Sequence, residues 1–178
     1  MNFLELVAAR QSDRAYDNSR PVEPEKLERI LEAARLAPSA CNAQPWRFVV
    51  VTDAGLAARV GKATASLGMN KFARQAPVHI LVVEESANIT SMLGAKIKQK
   101  YFPLMDIGIV AAHIALAAQS EGLGSCILGW FDEKTIKELT GIPAGKRLLL
   151  DITIGYSTKE KRPKARKAME KVVSYNRY

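Results

Sequence analysis

The sequence predicts a single domain of mixed α+β layers, and three observations predict it. Short apolar runs of strand character, 48–52, 78–83 and 148–154, alternate irregularly with segments of helical spacing. The length of 178 residues is room for one ordinary domain, and enough to bury a core without disulfide or metal staples. Hydrophobic residues at 48% and charged residues at 25% give the balance of a globular protein and argue against disorder. With no repeat, no Gly/Ser linker and no like-charge block, residues 1–178 read as one unit.

The elements follow in order. Asn2 is a good N-cap, and Glu5 three positions on completes a capping box for a helix running to about Arg10. Pro24 suits a first helical turn, Leu27, Ile30, Leu31 and Ala34 keep helical spacing, and Pro38 ends that helix. A buried strand follows over 48–52, then a short helix around Leu56–Val60. A second strand spans 78–83 behind Gln75-Ala76-Pro77. Between Pro103 and Gly122, Leu104, Ile107, Val110, Ala111, Ile114 and Ala118 form one stripe on an alanine-rich helix. Its small flanks predict burial on more than one side. Gly122 stops it. A strand over 125–128 leads to Gly129, and Asp132 and Gly141 bracket a helix of about two turns. The last strand covers 148–154.

Residues 158–178 hold eight basic and two acidic residues, a net +6 of the chain's +8. Such a segment suits an anionic partner: nucleic acid, a membrane surface or a phosphate-bearing small molecule. A solvated tail accounts for the charge equally well. It does not account for Met169, Val172, Val173, Tyr175 and Tyr178, which predict an arm packed on something, such as another subunit. The two cysteines, Cys41 and Cys126, make no disulfide framework, and the N-terminus lacks the pattern of a secretory signal. No apolar run is expected to reach the length of a membrane span. The expected location is the cytoplasm.

Phosphate-loop and dinucleotide glycine motifs are absent, as is a Gly-x-Ser-x-Gly elbow. His79 and His113 lack metal-ligand spacing, so no metal is expected. Three clusters stand out instead. Arg10-Gln11-Ser12-Asp13-Arg14 offers two guanidinium forks and a hydroxyl, a set that binds phosphate or carboxylate but also suits a solvated helix end. Residues 37–48 form a proline-fixed loop with Ser39, Asn42 and Gln44, polar groups of the kind that hydrogen-bond a planar heterocycle, with Trp46 read as core. In Arg162-Pro163-Lys164-Ala165-Arg166-Lys167, Lys164 and Arg166 share one face of an extended segment and can grip a phosphate, or are plain surface charge.

Together these motifs resemble one family. Arg10-x-Ser12-x-Arg14, Ala37-Pro38-Ser39 through Asn42-x-Gln44-Pro45-Trp46, Gly122 to Cys126 followed by Gly129-Trp130-Phe131-Asp132, and a late basic pair look like the FMN-dependent nitroreductases. The resemblance spans nearly the whole chain and implies a mixed central sheet wrapped by helices, in an intertwined homodimer with FMN at the interface. The helix from Pro103 to Gln119 would form the dimer core, and the arm of about 158–178 would reach over the partner.

By the same resemblance, Arg10 and Ser12 would contact the phosphate and ribityl part of FMN, with Gln11 standing where a basic residue is more usual. Arg14 would face the pyrimidine edge, where a cation stabilises the charge of reduction. Lys164 and Arg166 would hold the phosphate. Pro38, Ser39, Ala40 and Asn42 would come from the other subunit. Leu128 and Gly129 would lie along the ring, Gly129 presenting a bare backbone N–H to N5. Trp130 stands where a second glycine is common, and Asn70 or Lys71 is a further polar candidate. Cys41 is expected to be an uncharged spectator.

The implied activity is ping-pong reduction of nitroaromatic, quinone or similar electron-poor acceptors by NADH or NADPH. The chemistry would lie on the flavin, with no catalytic side chain and no nucleic acid or membrane partner. Two alternatives stand beside it: another flavin reaction on the same fold (oxidase, dehalogenase or flavin processing), and a non-catalytic anion or nucleic-acid binder.

Overall fold

The computed structural model describes residues 1–85 and 101–178. Its helices are α1 (Phe3–Ala9), α2 (Pro24–Arg35), α3 (Ala54–Thr64), α4 (Phe102–Ser120) and α5 (Glu133–Thr140). Its strands are β1 (Trp46–Val51), β2 (Val78–Glu84), β3 (Gly124–Leu128) and β4 (Leu148–Gly155). The sheet order is β1-β2-β4-β3. All three strand pairings are antiparallel, and the one parallel element among the described residues is a single bridge between Ser12 and Ser125.

Helices cover both faces of this sheet, so the α+β arrangement stands. On one face Leu27 and Ile30 of α2 and Val110 and Ile114 of α4 pack against Ile80, Val82, Ile152 and Ile154. On the other, Ala57 and Val60 of α3 and Ile136 of α5 meet Leu81 and Val83. Every residue of β2 is buried, which is why it reads as an unbroken apolar run rather than an alternating one.

Most elements lie where expected. The capping box of α1 is present: Glu5 N–H donates to Asn2 Oδ1 at 3.0 Å, and Asn2 N–H to Glu5 Oε2 at 2.8 Å. Gly122, at φ 75°, takes the left-handed turn that carries the chain from α4 into β3. Helix α3 is longer than expected, because it continues through Gly61-Lys62-Ala63. A Cβ at Gly61 would stand 2.6 Å from the Ala73 carbonyl oxygen, so the glycine allows a close approach to a 3₁₀ segment, Lys71–Gln75, that carries no apolar period.

Helix α4 needs two corrections. Leu104 does not join the buried stripe: it is 47% exposed, and Met105 and Ile109 are exposed with it. The stripe that faces the sheet begins at Ile107. The helix is also long and apolar enough, by length and composition, to cross a membrane, contrary to the expectation that no segment is. Its sheet-facing side nonetheless packs in the core. The arm beyond Ser157 follows no regular element except a short turn at Met169–Lys171. Tyr175 and Met169 stand 86% and 70% exposed.

Candidate functional site

Past Arg10, which caps α1, the chain becomes extended and runs beside β3. Asp13 N–H donates to the Ser125 carbonyl oxygen at 2.9 Å. Gly124 makes this approach possible, since a Cβ there would meet the buried Asp13 carboxylate at 2.9 Å. The arm then folds back over the same segment. Arg162 N–H donates to Gln11 Oε1 at 3.1 Å, and its guanidinium to the Ser12 carbonyl oxygen at 3.4 Å. Lys164 Nζ donates to the carbonyl oxygen of Arg10, 154 positions away in sequence. Gln11 acts as the clasp, because its Nε2 also donates to Asp13 Oδ1 at 2.8 Å.

The result is a knot of like charge. Half-buried Lys164 has its ammonium held below the usual lysine range, first by burial and then by Arg10, Arg166 and Lys161 around it; Asp13 opposes this weakly. Among the described residues, none of Arg10, Lys161, Arg162, Lys164 or Arg166 takes part in a salt bridge. Cations crowded together without a carboxylate partner are a receptor for an anion. Arg166 itself is exposed, its guanidinium donating at 2.7 Å to the Ala165 carbonyl oxygen.

Arg14 is exposed beside Cys126. Burial raises the thiol of Cys126, with Arg14 and the Ser12 hydroxyl acting the other way. Further along β3, Leu128 is buried and Gly129 exposed. A Cβ at Gly129 would meet nothing nearer than Leu150 Cδ2 at 4.0 Å, so the chain's own packing does not require glycine there. Bare backbone facing open space suits the approach of a flat ring. Next to it Trp130 is 54% exposed, and its carbonyl oxygen accepts from Asn70 Nδ2 at 2.9 Å.

The 38–44 loop lies elsewhere. Ser39 Oγ accepts from Gln44 N–H at 2.9 Å, and Asn42 Oδ1 from Gln44 Nε2 at 3.1 Å. Ala40 N–H donates to Asp106 Oδ1 at 3.0 Å, which places the loop at the N-terminal end of α4. The basic knot touches the other end, where Lys161 Nζ donates to Gln119 Oε1 at 3.0 Å. Thirteen residues of helix separate Asp106 from Gln119, about 20 Å along the axis.

The chain therefore gathers Arg10, Gln11, Ser12, Lys164 and Arg166, while Pro38, Ser39, Ala40 and Asn42 sit at the far end of a helix. Asp13 and Lys161, which the sequence reading gave no role, and Asp106, which it did not single out, belong to these two groups. An acidic residue in an apolar helix was the only signal for Asp106.

The sequence model of the Nitroreductase family matches residues 7–69 and 62–156 of this chain. A protein of Archaeoglobus fulgidus, provisionally named an NADH dehydrogenase/NAD(P)H nitroreductase, is 32% identical over 164 residues, covering 89% of this chain and 87% of its own. An NADH dehydrogenase of Thermus thermophilus is 28% identical over 190 residues, covering 92% and 91%. The solved structure of an FMN-dependent nitroreductase from Clostridium difficile superposes with a TM-score of 0.80 at 28% identity, covering 99% of this chain and 100% of that one. With a matched fold and a family model covering most of its length, this chain belongs to the nitroreductase family.

Proposed function

We propose that this chain is an NAD(P)H-dependent FMN oxidoreductase that reduces nitroaromatic, quinone or similar electron-poor acceptors by a ping-pong cycle. We further propose that it works as a homodimer with FMN between the subunits. The observation that carries this reading is the basic knot: Lys164 crowded by Arg10 and Arg166, with no salt bridge to neutralise them among the described residues. The names of the Archaeoglobus and Clostridium proteins point the same way.

The donor set fits FMN. Arg10, Lys164 and Arg166 supply the charge that a phosphate dianion neutralises, and Gln11 holds the arm in place over them. Arg14 supplies a cation for the pyrimidine edge. Gly129 leaves its backbone uncovered for the ring. Bound FMN supplies the redox chemistry, accepting two electrons from the nicotinamide and passing them to the second substrate. The chain binds, orients and tunes charge, and solvent provides the protons.

The separation of about 20 Å along α4 supports the dimer: the loop of one copy completes a pocket begun by the knot of another. The exposed Met169, Val172 and Tyr175 of the arm and Met105 and Ile109 of α4 are the apolar surface such a partner would cover. A cytoplasmic setting is part of the same proposal, resting on a sequence whose two cysteines make no disulfide framework.

The test is the visible spectrum of the purified protein, identification of the released chromophore, and anaerobic bleaching by NADH and NADPH. FMN at about one per chain, bleached by either nicotinamide and restored by a quinone, supports the reading. A colourless protein that takes up no added FMN overturns it.

A further inference from the structure

The 38–44 loop is held in a backbone that its residues resist. Cys41, Asn42 and Gln44 have φ of 52°, 50° and 47°, and none is glycine. Left-handed backbone at such residues persists only where the surroundings over-determine it, and it gathers at sites that do work. Several ties are internal to the loop, through Gln44 to Ser39 and Asn42. From outside the loop Asp106, in the second turn of α4, accepts from Ala40 N–H at 3.0 Å.

Asp106 is out of keeping with its place. It is 3% exposed, beside the buried Pro103, Ile107 and Val110. Its second oxygen, Oδ2, has no hydrogen-bond partner among the described residues. A half-satisfied buried carboxylate weakens folding, and an apolar residue of similar volume would pack there at lower cost. Packing does not explain the residue; the bond to Ala40 does.

We propose that Asp106 is a positioning residue for the flavin site: it fixes, through the Ala40 N–H, the strained loop that carries Ser39, Ala40 and Asn42 to the cofactor. This rests on the FMN reading above. Asp106 touches neither the ring nor the substrates. It sets the angle at which the loop leaves the end of α4, so that the polar groups of the loop arrive pre-organised instead of being ordered on binding.

The test uses the full chain with FMN as the probe. Affinity is read by quenching of FMN fluorescence, the setting of the ring by visible circular dichroism, and folding by the Tm of each variant. In D106N the amide oxygen still accepts from Ala40. D106A removes the acceptor. A40P removes the donor and leaves Asp106 in place, since the first residue of the 3₁₀ turn Ala40–Asn42 is a position that tolerates proline. D106A and A40P are expected to weaken FMN by up to about tenfold and to change its dichroism, with D106N close to wild type. If D106A does not fold, A40P decides the matter.

Unaltered affinity and dichroism in D106A and A40P overturn the proposal. So does a D106N that matches D106A, with Tm the only quantity to fall. R10A/K164A is measured alongside. Loss of FMN there, with D106A and A40P unaffected, rejects the positioning role and keeps the flavin reading. Unchanged affinity in every variant rejects both.

Discussion

The imidazole of His79 and the carboxylate of Asp151 face each other across β2 and β4, fully buried, with Nδ1 2.9 Å from Oδ2. Thr64 Oγ1 donates to the same Oδ2 at 2.6 Å, tying α3 to the sheet. Removing one partner strands the other in the core. D151L is expected to lower stability by about 3–5 kcal/mol. The H79L/D151L double variant is expected to be less destabilised than the sum of its single changes, because neither His79 nor Asp151 is left facing an apolar side chain. Chemical denaturation of the four proteins checks this; additive losses would show that the two do not interact.

Lys164 gives a pH dependence with a definite sign. Its folded-state value lies below the ordinary 10.5, so in alkaline solution the unfolded chain holds this proton longer than the folded one. Apoprotein stability is therefore expected to gain a rising component with pH between the lowered value and 10.5. A phosphate dianion favours the charged ammonium, so FMN affinity is expected to fall over the same interval. K164M should lose that part of the pH dependence. Titrations of wild type and K164M from neutral to alkaline pH measure both effects.

Trp130 stands 54% exposed beside Gly129, its backbone held by Asn70. Replacing it with glycine removes a large surface at the mouth of the proposed pocket. W130G is expected to change KM for a bulky planar acceptor by about threefold to tenfold, the range of one aromatic contact, with Tm nearly unmoved. Steady-state kinetics with a bulky and a small acceptor decide it, and equal behaviour toward both would remove Trp130 from the pocket.

Deleting residues 169–178 leaves Lys164 and Arg166 in place and removes the exposed Met169, Val172, Tyr175 and Tyr178. The shortened chain is expected to elute smaller on gel filtration at micromolar concentration. Its FMN retention should improve as the concentration rises. Elution as a dimer at every concentration would show that the apolar end of the arm is dispensable for assembly.

What the sequence disclosed followed its local chemistry. Asn2 with Glu5, Pro24, and Asp132 with Gly141 marked helix ends because each mark acts within a few residues. The stripe of α4 misplaced Leu104, because a helix apolar on every side carries no sign of which face meets the sheet. Three site clusters were visible, and only the family resemblance brought Arg10 and Lys164 to one phosphate; the direct bond between them was not legible, since nothing local encodes a contact across 154 positions. Asp106 was missed for the same reason: its partner lies 66 positions away, in a loop.

The span of α4 between Asp106 and Gln119 has a consequence for how the protein behaves in solution. In the proposed dimer, a pocket assembled from two copies is not a property of a single chain. Turnover per chain should then follow the law of mass action, declining with dilution once concentration drops beneath the subunit dissociation constant. The same arithmetic makes every substitution that loosens the contact between copies an inhibitor of the chemistry, however far it lies from the flavin.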